Sequence, residues 1–202
     1  MANIDVMQHK AGSVMDTVVQ KLSSLQRPAL LRHLRTLSQE DLRLRFGAYM
    51  NDAALEHYVM GIDFAHDKVF GIYGRDVQLV GMAHLALDHS HHYAELGLSV
   101  EPAQRGKGYG LALLNRGKLS AVNRGYTTLF MHCLAENRIM IHLARKAGLK
   151  LVTEQGEVDA HLELEATSHA AVAREAIEDQ IALADLLFKQ QFQWLLQRPH
   201  AA

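Results

Sequence analysis

One cysteine in 202 residues, a formal charge of only −1 and no long apolar run set the first limits on this chain. A single thiol, Cys133, cannot build a disulfide framework, and its place in an apolar stretch reads as core packing rather than reactivity. Near-neutral charge gives no electrostatic reason to expect nucleic acid or an anionic membrane as partner. No apolar stretch reaches the ~18 residues of a membrane span, and the first residues lack the apolar core of a secretory signal. The expectation is a cytoplasmic protein. What the chain does have is length, and an apolar fraction of 49%, sufficient to bury a sizeable core without covalent help.

Residues 1–12 are polar. Val14, Val18, Leu22 and Leu25 then recur at helical spacing, which predicts a short helix from Ser13 to Gln26 that Arg27-Pro28 interrupts. Ser38-Gln-Glu-Asp41 supplies an N-cap and an acidic first turn for a helix through Phe46, and a second helix is expected from Asp52 to about Met60. Strands are expected near Lys68–Tyr73 and Gln78–Leu87, joined by a hairpin turn at Gly74-Arg-Asp-Val77. Asp88-His-Ser-His-His92 follows. Spacings of this kind in a loop do not ensure the convergence a metal site needs, so a solvated loop is the preferred reading and no metal is expected.

The densest functional information lies in Leu96-Gly-Leu-Ser-Val-Glu-Pro-Ala-Gln-Arg-Gly-Lys-Gly-Tyr-Gly110. An apolar strand ends at Val100, glycines follow at 106, 108 and 110, and a helix opens at Leu111. Glycines let backbone N–H groups approach an anion closely, and a helix start adds unpaired N–H groups and the positive end of a dipole. The combination predicts a phosphate cradle; a plain glycine-rich turn is the alternative. A dinucleotide fingerprint fails because its third glycine would fall on Leu111, and a nucleotide-triphosphate loop fails because Lys107 precedes Gly108 rather than Ser or Thr.

What remains, Arg105-x-x-Gly108-x-Gly110, resembles the acyl-CoA pyrophosphate loop of the GNAT N-acetyltransferase superfamily. Ala94-Glu95-Leu-Gly-Leu-Ser-Val100 is similar to that family's cofactor-splaying strand, with the Ala-Glu pair closest to bacterial GNAT-type protein lysine acetyltransferases. Asn137 and Gly148-Leu149 fall where the family has an asparagine, a helix and a closing pair. The resemblance covers roughly residues 30 to 165. It implies an α/β fold with a mixed, mostly antiparallel central sheet, helices on both faces and, in this chain, a long C-terminal helix. It divides the chain into an N-terminal helical segment (1–29), an acetyltransferase domain (30–165) and a C-terminal helical extension (166–202).

By the same resemblance, acetyl-CoA is the co-substrate and a primary amine, protein lysine or small molecule, the acceptor. The strand edge at Leu98, Ser99 and Val100 would hold the pantetheine arm. The amides of Arg105, Gly106, Lys107, Gly108, Tyr109 and Gly110 would hold the pyrophosphate. Asn137 would contact the cofactor or cap its own helix.

An attacking amine with pKa near ~10 must lose a proton, and Glu95 is the candidate base. Strand alternation puts Tyr93, Glu95 and Ser99 on one face and Ala94, Leu96, Leu98 and Val100 on the other. Glu95 is then expected to look into a cleft, half-buried; a solvated or ion-paired glutamate is the bland alternative. One departure stands out: where many family members carry a proton-donating tyrosine, this chain has Ala144. His142 is two residues away and should face elsewhere.

The helix after the loop should pack Leu111, Ala112, Leu114, Leu119, Ala121 and Val122 on the sheet, with Arg116, Ser120 and Arg124 opposite. Ala173, Ile177, Ile181, Ala184, Phe188 and Leu195 predict a long amphipathic helix from Ser168 to Gln197, either crossing the domain or forming a homodimer. The favoured activity is direct acetyl transfer in a ternary complex. A catalytically degenerate acyl-CoA-binding regulatory module, or a partner protein acting through its last helix, are the alternatives.

Overall fold

The computed structural model describes residues 17–154 and 156–196. In chain order the elements are β1 (Gln20–Leu22), α1 (Arg27–Arg35), α2 (Gln39–Phe46), α3 (Asp52–Gly61), β2 (Lys68–Tyr73), β3 (Leu79–Asp88) and β4 (Tyr93–Val100). Then come α4 (Tyr109–Asn123), β5 (Thr128–Leu134), α5 (Arg138–Lys146), β6 (Lys150–Glu154), β7 (Glu157–Glu163) and α6 (His169–Leu196). The strands form one seven-stranded sheet in the order β1-β2-β3-β4-β5-β7-β6. Every neighbouring pair is antiparallel except β4 and β5, which run parallel. The mixed, mostly antiparallel α/β architecture and the long last helix are as expected.

Two buried clusters flank the sheet. One gathers Phe70, Leu85, Leu96, Leu113, Leu114 and Leu129 between the sheet and α4. The other gathers Leu30, Leu34, Leu42, Leu55, Val59 and Met82 under α1, α2 and α3. Strand alternation produces this division: on β4, Ala94, Leu96 and Leu98 are buried while Tyr93 and Glu95 are exposed.

The expected helix from Ser13 to Gln26 is not what the chain forms. Residues 13–16 lie outside the described part, but Gln20–Leu22 is a strand paired antiparallel with β2. The helix begins instead at Arg27, with Pro28 in its first turn, where a missing N–H costs nothing. The proline starts a helix there rather than stopping one.

The polar side of α4 is a second correction. Arg116 is 2% exposed, its guanidinium lying over the Phe70 ring 5.1 Å from the centroid. It meets Glu175 at 3.2 Å, Glu178 at 3.8 Å and Asp179, all on α6. Arg124 also reaches Glu175, at 3.3 Å, and Ser120 is fully buried. The face that periodicity assigned to solvent is the seat of the last helix, neutralised by acids from α6.

That seating turns α6 the other way round from the usual amphipathic helix. Ala182 is buried and Glu175, Glu178 and Asp179 face the domain. The apolar stripe at Ile177, Ile181 and Phe188 is turned outward, 60%, 54% and 69% exposed. The side chain of Leu195, and Gln197, lie outside the described part.

Candidate functional site

The parallel ladder between β4 and β5 is only three pairs long: Tyr93 with Thr128, Ala94 with Leu129, and Glu95 with Phe130. Past Glu95 the strands separate, while β5 stays paired with β7 along its other edge from Thr128 through Leu134. Leu96 to Val100 therefore border a wedge on one side. The Glu101 N–H donates to the Val80 carbonyl at 2.9 Å, so alternation turns the backbone groups of Ser99 toward β3 and those of Leu98 and Val100 toward the wedge. Strand-edge groups of this kind are ready to pair with an extended chain.

The glycine loop sits at the open end of the wedge. Gly106 and Gly108 hold φ of 78° and 84°, a left-handed backbone that side-chain-bearing residues adopt only with strain. Gly108 is the N-cap of α4, and the first helical bond runs from the Ala112 N–H to the Gly108 carbonyl at 3.0 Å. The helix starts two residues earlier than the sequence suggested. The N–H groups of Tyr109, Gly110 and Leu111 are left over by the helix itself. Among the described residues, those of Gly106, Lys107 and Gly108 have no acceptor either. No acidic residue lies in the first turn to compete with an incoming anion. This is the donor set a pyrophosphate requires.

Arg105 plays a different part from its neighbours. Its side chain donates to the Val100 carbonyl at 3.2 Å and to Asp41 Oδ1 at 2.6 Å, clamping the loop to the end of β4 and the start of α2. The Lys107 ammonium donates to Gln104 Oε1 at 2.6 Å. Ser99 is buried, its hydroxyl 2.9 Å from His33 Nε2, so both its side chain and its backbone are engaged. Asn137 is 8% exposed and caps α5, accepting from the Met140 N–H at 3.1 Å while donating to the Leu44 carbonyl at 3.2 Å. The cap ties α5 to α2 beside the wedge. Ala144 is buried and His142 exposed.

On the far side of the sheet, a cleft of about 320 Å³ opens at the splay point, lined by Glu95 and Gly97 with Arg45, Tyr58, His84 and His132. Glu95 is exposed at its rim rather than half-buried, so the expected burial of this carboxylate is not met. Gly97 lets the Arg45 guanidinium lie against β4; a β-carbon there would push that side chain aside. Hydrogen bonds to Asp159 at 2.8 Å and proximity to Glu157 hold the His132 imidazole above its ordinary pKa. Cys133 is buried, which pushes its thiol up and argues against nucleophilic use.

His84 is the residue whose significance sequence reading missed. No local pattern marks it, because its partners Asp67 and Tyr58 come from other elements. The loop histidines themselves remain dispersed: His91 pairs with Asp88 at 3.0 Å and His89 with the Tyr126 hydroxyl at 2.9 Å. Among the described residues, no group of three or more metal-binding side chains converges, and no helix is long and apolar enough to cross a membrane.

The fold has many solved counterparts. The GNAT domain of an S. lividans PAT superposes with a TM-score of 0.63 at 19% identity, over 72% of this chain and 89% of that one. A GNAT superfamily phosphinothricin acetyltransferase from Sinorhizobium meliloti, in complex with AcCoA, gives 0.62 at 14% identity, over 77% and 92%. A spermidine N-acetyltransferase from Vibrio cholerae, in complex with CoA and spermine, gives 0.59 at 18%, over 72% and 94%. No protein of curated function matches by sequence. The profile of the acetyltransferase (GNAT) family matches residues 31–149, from α1 through the glycine loop to the end of α5, and the chain belongs to that family.

Proposed function

We propose that this protein is an acetyl-CoA-dependent N-acetyltransferase that moves the acetyl group to a primary amine by direct attack in a ternary complex. The observation that carries the reading is the wedge beyond Glu95 and Phe130, closed at one end by the unclaimed amides of residues 106–111. A pantetheine arm would run along the Leu98 and Val100 edge with the pyrophosphate in the glycine loop. The thioester would then arrive at the splay point, where the second cleft meets the sheet. A Leu98 amide facing the wedge is placed to stabilise the oxyanion of a tetrahedral intermediate.

Glu95, at the rim of that cleft, would take the first proton from the acceptor ammonium and pass it to water. An exposed carboxylate suits an acceptor that arrives from solvent as a cation. Both a protein lysine and a small amine meet that description; the neighbours from S. meliloti and V. cholerae are a phosphinothricin and a spermidine acetyltransferase. Incubation with acetyl-CoA and a panel of lysine peptides, polyamines and amino acids, with free thiol as the readout, tests the proposal. Tight cofactor binding with no thiol released on any amine would favour a degenerate binding module instead.

The outward stripe of α6 supports a homodimer. Ile177, Ile181, Phe188 and Phe192, within about 60° of one another around the helix, are each at least 52% exposed. At ~100 Å² apiece they present roughly 400 Å² of apolar surface, about half of the ~800 Å² each partner of a stable complex buries. A second copy offering the same stripe antiparallel would cover it.

A further inference from the structure

Ala144 leaves α5 without a proton donor at the position where many family members carry a tyrosine, yet the proposed reaction requires that the departing thiolate be protonated. The cleft at the splay point contains a hydrogen-bonded line of three side chains that the family resemblance does not assign. Asp67 Oδ2 lies 2.9 Å from His84 Nε2, and His84 Nδ1 lies 2.9 Å from the Tyr58 hydroxyl. The other carboxylate oxygen of Asp67 accepts the Leu87 N–H at 3.2 Å, which fixes its orientation.

The polarity of this line follows from its end. A carboxylate only accepts, so His84 carries its proton on Nε2 and presents a bare Nδ1 to Tyr58. Tyr58 therefore donates to His84, and its oxygen lone pairs are left to accept from another group. Arg45 Nη2 is one such donor, 3.5 Å away, with its guanidinium lying against Gly97. His84 stands directly opposite Gly97 in the β3–β4 register, two residues beyond Glu95 on the unpaired stretch of β4.

The fully buried histidine on this side of the sheet is built differently. His33 is held by the Leu79 carbonyl and the Ser99 hydroxyl, with a carboxylate oxygen no nearer than 4.0 Å, and lines no part of this cleft. His84 has a carboxylate behind it and a phenol in front, and the phenol lines the cleft together with Glu95. Burial keeps His84 below its ordinary pKa, so it is neutral and able to accept at neutral pH. The charged and titratable groups facing the pair are Arg45 from α2, Asp67 from the turn before β2 and Glu95 from β4, with His132 and its partner Asp159 on β5 and β7 across the cleft.

We propose that Asp67, His84 and Tyr58 form a proton relay that carries a proton from the attacking nitrogen to the leaving sulfur, with Tyr58 as the catalytic residue and His84 and Asp67 as positioning residues. This rests on the acetyltransferase reading. After Glu95 has removed one proton from the ammonium, the neutral amine attacks the thioester carbon, forming the C–N bond and an N–H⁺. Nitrogen and sulfur are then bonded to the same carbon, so one hydroxyl serves both. The nitrogen gives its proton to the Tyr58 oxygen as the phenolic proton moves to His84 Nδ1. When the C–S bond breaks, Tyr58 protonates the sulfur and His84 returns the proton to Tyr58. The products are amide and thiol, and the relay ends as it began.

The test is the pH dependence of kcat with saturating acetyl-CoA and the best acceptor, alongside acetyl-CoA affinity by calorimetry. Tyr58→Phe should lower kcat by roughly a hundred-fold or more, with acetyl-CoA Kd within about two-fold of wild type, because the ring and its packing remain. Wild type should lose activity as pH falls below the ordinary imidazole range. His84→Gln should remove that acid limb, and Asp67→Asn should move it to lower pH, since the carboxylate that favours protonation is gone. Tyr58→Phe retaining kcat within about three-fold, or an acid limb that persists unchanged in His84→Gln, overturns the relay. A wild-type protein that binds acetyl-CoA but acetylates no amine would instead remove the acetyltransferase reading, and the relay with it.

Discussion

Glu95 faces Phe130 as the last aligned pair between β4 and β5, and beyond it the two parallel strands diverge. That one register position places a carboxylate, a free strand edge and two clefts within a few residues of each other. In the proposed mechanism the wedge between the strands would take the acyl donor, the cleft lined by Glu95 would admit the acceptor, and the reacting carbon would fall where they meet.

Glu95→Gln is accordingly expected to lower kcat by roughly ten- to a thousand-fold at neutral pH, on the scale of general-base effects. Acetyl-CoA affinity should be nearly unchanged, because the proposed cofactor contacts are backbone groups of β4 and the glycine loop. Steady-state kinetics alongside calorimetry measures both. Unchanged turnover would remove Glu95 from the mechanism.

His33 makes a prediction about stability rather than rate. It is 1% exposed, and burial lowers its pKa from 6.5 to about 4, against a raising hydrogen bond to Leu79. Between those values the unfolded chain binds a proton that the folded chain does not. Stability therefore rises with pH across that window and is lost as pH falls through it, by about 3 kcal/mol at most. Urea titrations from pH 4 to 7 should show that slope, reduced by about one proton in His33→Gln. An identical slope in the variant would place the acid sensitivity elsewhere.

The outward stripe of α6 bears on the quaternary state. Phe188→Asp places a charge in the middle of the outward stripe of α6 without touching the Arg116 cluster that seats the helix. Light scattering should show a dimer for wild type and a monomer for the variant, with far-UV circular dichroism unchanged. A wild-type monomer at high micromolar concentration would leave the stripe without its second copy.

The strand, glycine loop and helix proposed to hold the acyl donor were legible in the sequence because their signals are local: Val100, Gly106, Gly108 and Gly110 lie within eleven residues. β1 was not, since three residues become a strand only through pairing with β2, and Val18 and Leu22 satisfied a helical period equally well. Arg116 looked solvent-facing because its acids arrive from α6, 63 residues on in the case of Asp179. The relay was hidden for the same reason. Tyr58 lies on a helix, Asp67 before one strand and His84 within another, and only the folded register brings them into line.

The measurement that bears most directly on the central claim is calorimetric titration of the purified protein with acetyl-CoA, beside Gly108→Val. The valine disturbs a backbone φ of 84° at the N-cap of α4 and nothing in the core, since no atom lies within 4 Å of a β-carbon built there. One-to-one binding by wild type at micromolar affinity, lost in a variant that still unfolds cooperatively, is the predicted result. No binding by wild type, or equal binding by both, would contradict the assignment of the loop and wedge as the acyl-CoA site.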